Sequence, residues 1–403
     1  MVKKADKRSQ LIQRALNNVQ RRFGDKKVLV GLGMEDFPYL GIPLHPVCLQ
    51  YLFQADIIPL EKLIHLYGDW DTCKTVFALY LISEFIAAGG YGIYIDAERK
   101  LPWDLVYDII GKEALDGGRL VYQQSGSAEE VQEFMFSYLE VFAGANNDIR
   151  KANDSRKDGE SPIPEIPTLL VLDSLAAALP VTVKEGIWKE RHNNVTVAPY
   201  ARVWTKPFSE LTSALVDLRS RMTVLIINHE RQTIQFSGRS KPGGGMQDFL
   251  GFLMLRFSHG RGRTNSQEVY PSYGLKHIKI ATEKNSMGTR RREIELSAKW
   301  GLGESDLPFH FEFDKSTIEL ISSQLGAGKT LGPLEDIKSY RGLYRSESLG
   351  METGEEPAAF LARIESSEEV MNGIRTALGI KRRHILGQES VAEESTSVEA
   401  DDE

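Results

Sequence analysis

Gly68-Asp69-Trp70-Asp71-Thr72-Cys73-Lys74-Thr75 is the stretch richest in chemistry. It has the outline of a phosphate-binding loop, G-x-x-x-x-G-K-[ST]. In such a loop backbone N–H groups wrap phosphates, a Lys reaches the β- and γ-phosphates, and a hydroxyl faces Mg2+. Gly68, Lys74 and Thr75 fit that outline, and Asp69, Trp70, Asp71 and Thr72 fill its variable centre. Cys73 stands where the second Gly belongs. Gly there gives backbone freedom and close phosphate approach, so a Cys is expected to crowd or strain the loop. A strand–turn–helix that holds no nucleotide is the plainer alternative.

Two carboxylates and a His extend the set. Asp173 ends the apolar run TLLVLD, where a carboxylate can hold Mg2+, usually through water, beside the Thr75 hydroxyl. Glu98 follows the run YGIYIDA and is suited to orient or deprotonate an attacking water; a solvated loop acid is the alternative. His229 follows TVLIIN, where an imidazole can sense a terminal phosphate by hydrogen bonding; a structural His is the alternative. A second Gly-Lys-Thr, in SQLGAGKT (323–330), has Ser in place of the first Gly. It runs into Leu331-Gly332-Pro333, which would break the helix a phosphate loop must enter, so it reads as a turn.

The elements that must position these groups are legible. Leu63–Tyr67 reads as a buried strand and 74–88 (KTVFALYLISEFIAA) as a helix apolar nearly all round, stopped by Gly89-Gly90. Tyr91–Ile95, Thr168–Asp173 and Thr223–Asn228 read as further strands, with a helical period over 208–222. This alternation predicts an α/β fold with a mostly parallel sheet, and it puts the strand ends carrying Glu98, Asp173 and His229 on one edge, where ligands bind. Lys276–Glu283 and Arg292–Lys299 look like paired strands around the turn NSMGT. The polar, Gly/Pro-rich stretch 144–167 reads as a surface excursion, and 331–403 as helical at best and then disordered from Gln388. Residues 8–23 form an amphipathic helical pattern, and 28–60 give no clear pattern.

Composition excludes several classes. The 403 residues are 41% hydrophobic and 26% charged, an ordinary globular balance. No apolar window approaches the ~18 residues of a membrane span, and no signal-peptide core follows the basic start, so no membrane partner is expected. Two cysteines, Cys48 and Cys73, cannot build a disulfide framework or a multi-Cys zinc site. The net charge of −7 is concentrated: residues 388–403 hold seven acids and no base, while residues 1–27 hold nine bases and two acids. A basic head and an acidic tail on a neutral body suit regulated contact with a polyanion or between subunits; solvated termini are the alternative.

Taken in order, the quoted segments resemble the RecA family of strand-exchange recombinases, over most of residues 8–300. QRALNNVQRRFG looks like the family's polymerisation helix, YGDWDTCKT its phosphate loop, YIDAERKL the strand carrying its catalytic Glu, and LLVLDSLAAALP its Mg2+-binding strand. IINHERQ lies at its γ-phosphate sensor, where bacterial members carry Gln; His229 is similar to the phage branch. KPGGG (241–245) looks like the Gly pair closing the second DNA loop.

The resemblance implies a RecA-like P-loop ATPase core over 33–315, preceded by a polymerisation helix and linker (1–32). A small C-terminal region (316–387) and a disordered acidic tail (388–403) follow. It implies ATP and Mg2+ as cofactors and a DNA-dependent ATPase, with hydrolysis left open by Cys73. It implies single- and double-stranded DNA and further copies of the chain as partners, in a helical filament, together with single-strand-binding and loader proteins. The cytoplasm is the implied location, that of a bacterial host if the chain is phage-encoded. The catalytic set is Glu98, Lys74, His229 and Lys284, the last reaching a neighbouring subunit's ATP. The second interface position carries Ser286, so one cation is missing there, with Arg290 or Arg291 the candidates to replace it. Trp103 or Tyr107 would stack on adenine, with core packing the alternative. Residues 181–202 form the first DNA loop, with Lys184, Trp188, Lys189, Arg191 and Arg202. Residues 230–245 form the second, with Arg231, Arg239, Lys241, Gly243, Gly244 and Gly245. Bases neutralise phosphates, and an aromatic can wedge between nucleobases. A RecA-fold DNA-binding or filament-regulating protein without hydrolysis is the alternative function.

Overall fold

In the computed structural model the first described strand, β1 (Leu40–Pro43), leads through a buried helix, α1 (Val47–Phe53), to β2 (Ile57–Pro59) and β3 (Leu63–Gly68). Then come α2 (Lys74–Ala87), β4 (Tyr91–Asp96), α3 (Trp103–Ile110), α4 (Lys112–Asp116), β5 (Leu120–Gln124), α5 (Ala128–Asp154) and β6 (Thr168–Asp173). The second half holds α6 (Ala198–Asp217), β7 (Met222–Ile227), β8 (Arg231–Gln232), β9 (Arg239–Ser240), α7 (Met246–Leu250), β10 (Leu253–His259), β11 (Tyr273–Asn285) and β12 (Glu293–Gly301). It closes with β13 (His310–Phe311), α8 (Phe313–Gly326), β14 (Lys338–Tyr340), β15 (Leu343–Arg345), α9 (Pro357–Glu365), α10 (Glu368–Leu378) and β16 (His384–Ile385). The structure describes residues 39–157, 159–183, 198–232, 239–240, 245–260, 273–288, 290–301, 308–326, 338–340, 343–346 and 353–387.

A nine-stranded sheet in the order β13-β12-β11-β10-β3-β7-β6-β4-β5 is the frame. The six strands from β10 to β5 are mutually parallel; β11, β12 and β13 extend one side antiparallel. This is the α/β architecture with a mostly parallel sheet expected from the strand–helix alternation. Parallel strands covered on both faces must be apolar throughout, and β3, β6 and β7 are buried at every position. On one face Ile93, Ile95, Leu170, Leu172, Val224 and Ile226 pack with Val131, Met135 and Leu139 of α5 and with Trp204, Phe208, Leu211 and Leu215 of α6. The other face meets α2: a Cβ at Gly92 would lie 2.4 Å from Ile82, so that strand position has room only for Gly.

Several expectations needed correction. The excursion over 144–167 is not irregular throughout, because α5 runs on to Asp154. The Ser127 hydroxyl caps its start by accepting from Glu130 N. Asn146 hides the helical character of the polar stretch. It is fully buried, its amide donates to the Ile166 and Ser220 carbonyls (3.1 and 2.9 Å), and its oxygen accepts from Ile166 N at 2.7 Å. A polar residue so satisfied belongs in the interior. The C-terminal stretch, expected to be helical at best, also contains strands: β14 and β15 form a hairpin, and β16 adds in parallel to β1, beside β2. The expected helix at 8–23 and the acidic tail lie outside the described residues.

Candidate nucleotide site

β3 delivers the phosphate loop to the edge of the sheet. Gly68 has φ 139°, and a Cβ there would lie 1.9 Å from the Phe257 carbonyl oxygen, so only Gly permits the β3–β10 contact. The next residue, Asp69, donates its N–H to the same Phe257 oxygen at 3.1 Å. Trp70 stands out from the loop, 75% exposed. Thr72 is buried, and its hydroxyl donates to Asp69 O at 2.8 Å. Lys74 opens α2 with its ammonium turned into the loop, donating to Asp69 O (2.5 Å) and Thr72 Oγ1 (3.2 Å). Burial pushes the Lys74 ammonium below its ordinary pKa, against the pull of Asp173, Asp69 and Glu98.

Cys73 takes the backbone shape a Gly would take. Its φ and ψ are 58° and 25°, in the left-handed region, at the N-cap of α2. Its side chain packs against an apolar cluster of Val76, Ala298 and Phe309, which Trp300 and Phe311 also join. Burial pushes the thiol up to about 11, so it stays protonated and adds no charge to the loop. The crowding expected of the sulfur is therefore relieved sideways, while the backbone strain remains.

Asp173, at the end of β6, sits opposite Asp96 of β4 in register. Its Oδ2 accepts from Thr75 Oγ1 at 2.6 Å and from Tyr94 OH at 2.5 Å. Burial raises the Asp173 carboxyl, and the two hydroxyls oppose that rise. The Asp173–Ser174 peptide is cis. A hydroxyl and a carboxylate paired this closely make an oxygen donor set that fits Mg2+, which uses one or two carboxylates with phosphate oxygens and waters. Among the described residues no cluster of three or more His, Cys, Asp or Glu forms an all-protein metal cage.

Glu98 follows β4, and its Oε1 accepts from Ser174 Oγ at 2.5 Å and meets His229 Nε2 at 3.0 Å. The bond to His229 is the largest reason its carboxyl is pulled down to about 2, with Ser174 and Lys100 adding to the effect. His229 is held by its neighbour: its N–H donates to Asn228 Oδ1 (2.9 Å), and Asn228 Nδ2 donates to Gln247 Oε1 of α7 at 3.1 Å. Gly245, at the end of the second predicted DNA loop, immediately precedes α7.

These groups line one cleft of about 540 Å³. Asp71, Thr72, Cys73, Lys74, Thr75, Glu98, Asp173 and His229 all border it, so the site residues picked from strand ends and loop converge. Tyr107 does not border it; it is 54% exposed on α3. Trp103 packs edge-on against Tyr122 at 5.0 Å and does not border it either. The aromatic wall is Trp300, whose ring stacks on Phe309 at 6.2 Å and 11°. Nothing near Trp300 in the sequence signals this, because β12 crosses to the loop only through the antiparallel extension of the sheet. Asp104, Asp108 and Lys276 are further lining residues that the sequence did not single out.

Lys284 lies away from this cleft: its ammonium donates to the Asp248 and Phe249 carbonyls (3.0 and 2.6 Å) at the end of α7. Arg202 belongs to α6 and is exposed, rather than sitting in an irregular loop. Arg231 and Arg239 lie on β8 and β9, an antiparallel pair that frames the second loop. Lys184, Trp188, Lys189, Arg191, Lys241, Gly243 and Gly244 lie outside the described residues. Among those described, no helix is long and apolar enough to cross a membrane.

No profile of a known protein family matches the chain. Similarity to individual proteins is extensive. The RecA protein of Tropheryma whipplei (strain Twist) is 24% identical over 336 residues, 80% of this chain and 68% of that one. That of Nocardia farcinica is 23% identical over 405 residues, the full length of both. That of Mycoplasma mobile is 23% identical over 305 residues, 75% of this chain and 81% of its own. Together these relatives support the RecA family. The sheet order and the loop-to-helix step fit a RecA-like core, and the family supports a role in recombination or repair.

Proposed function

We propose that the chain is an ATP-dependent recombinase that forms helical filaments on single-stranded DNA and pairs the strand with a homologous duplex. The observation that carries this reading is the convergence of Lys74, Thr75, Asp173, Glu98 and His229 on one cleft at the carboxyl edge of a parallel sheet. In this reading Trp300 faces the base, and the start of α2 receives the phosphates. Lys74 exchanges its loop oxygens for the β- and γ-phosphates. Thr75 and Asp173 would hold Mg2+, and the ion would supply charge neutralisation on the phosphate oxygens.

Hydrolysis breaks the bond between the γ-phosphorus and its bridging oxygen as a water attacks. A carboxylate pulled down to about 2 is a weak base, so Glu98 chiefly orients that water. Arrival of a γ-phosphate draws His229 away from Glu98. Through Asn228 and Gln247 that movement reaches α7 and the end of the second DNA loop. The DNA loops grip phosphates and leave sequence to base pairing. Lys284 faces a neighbouring subunit's nucleotide, consistent with its distance from the cleft of its own chain.

Lys74→Ala tests the reading. Affinity for single-stranded DNA should rise with ATP and fall steeply with salt in the natural chain, and lose its ATP dependence in the variant. DNA affinity indifferent to ATP in the natural chain overturns it. The strained backbone at Cys73 favours a second reading, a RecA-fold DNA-binding protein that has lost hydrolysis. Phosphate release stimulated by single-stranded DNA separates the two.

A further inference from the structure

The phosphate loop carries two carboxylates, Asp69 and Asp71, where a polyanion is to be received. Asp71 is met by Lys276 of β11, whose ammonium forms an ion pair and hydrogen bond with its carboxylate. The same ammonium lies 5.6 Å above the Trp300 ring. Lys276 therefore stands between the loop and the aromatic wall, and it borders the cleft. Among the described lining residues five carboxylates (Asp71, Glu98, Asp104, Asp108 and Asp173) face two ammonium groups, Lys74 and Lys276. A triphosphate adds further negative charge to an already acidic cleft, so a second cation has work to do there.

We propose that Lys276 is a second nucleotide-binding cation, supplied by the same chain, that leaves Asp71 to bind the phosphate nearest the sugar. The proposal rests on the ATP-binding reading above. Its position follows from the two lysines' neighbours. Lys74 begins α2 next to Thr75, which bonds Asp173, and so serves the terminal phosphates. Lys276 sits at the other end, between Asp71 and the ring that faces the base. A cation there meets the part of the nucleotide that ATP and ADP share. The exchange is easy, because the Lys276 and Asp71 side chains are 32% and 46% exposed and a pair so wetted is weakly held. A phosphate offers the ammonium more charge and a stronger charge-assisted bond.

The test is calorimetric binding of Mg-ATP and Mg-ADP to the full chain and to Lys276→Ala, Asp71→Asn and the double variant. Lys276→Ala should weaken ATP and ADP alike, by about tenfold. Asp71→Asn should tighten both severalfold by releasing the ammonium. The double variant should stay about tenfold weaker than Asp71→Asn. Recovery of the double variant to the affinity of Asp71→Asn would overturn the proposal, since Lys276 would then only neutralise Asp71. Loss confined to ATP would overturn it as well. Failure of the natural chain to bind either nucleotide would instead remove the ATP reading itself. Unchanged thermal melts in the variants exclude misfolding as the cause.

Discussion

Replacing Cys73 by Gly separates the backbone of the phosphate loop from its side chain. Cys73 already holds φ 58° and ψ 25°, so Gly would supply no new conformation. It would relieve a left-handed strain of about 1–2 kcal/mol. Against this stand the loss of roughly 1 kcal/mol of apolar burial beside Val76 and Phe309 and a more flexible unfolded chain, worth ~0.5–1 kcal/mol. The terms nearly cancel, so urea unfolding should place Cys73→Gly within about 1 kcal/mol of the natural chain. ATP affinity should change less than about threefold, because Gly would keep the loop backbone in its present shape and the thiol, packed against Val76 and Phe309, carries no charge. Cys73→Val makes the contrast: a β-branched residue at this φ should cost on the order of 2–3 kcal/mol. DNA-stimulated phosphate release decides the functional half. A tenfold gain in Cys73→Gly would refute this reasoning, because the sulfur would then be blocking the loop.

Two further predictions follow from single side chains. Asn146→Ala removes three buried hydrogen bonds and leaves the Ile166 N–H and two carbonyls unmatched. It should cost about 3 kcal/mol in urea unfolding, and a loss below ~1 kcal/mol would show that water replaces the amide. Glu98 is held at about 2 against an ordinary 4.5, so it binds fewer protons folded than unfolded. Its stabilisation is complete above pH 4.5 and is lost as pH falls through about 2. The stability gap between the natural chain and Glu98→Gln should close across that window; a gap independent of pH would mean the His229 contact does not lower the carboxyl.

The sheet was legible because its strands are unbroken apolar runs ending in a chemical residue: TLLVLD gives both β6 and Asp173. The loop was legible because phosphate chemistry constrains neighbours in sequence. What escaped depends on distance in the chain. Trp300 and Lys276 reach the cleft from β12 and β11, more than two hundred residues after the loop, and only the antiparallel extension of the sheet brings them there. Tyr107 was the reasonable local choice for an aromatic wall, but it lies exposed on α3. Polarity misled over 144–154, because Asn146 carries a polar name and a core environment.

The pairing of β1 with β16 has a consequence for synthesis. Leu40 is matched with His384, so the small sheet cannot close until nearly the whole described chain has left the ribosome. At ~5–20 residues per second, β1 and β2 wait roughly 20–70 s for their third strand. Through that interval β1, joined to β2 by way of α1, keeps one bare edge, and an unpaired strand edge is a template for pairing with another chain.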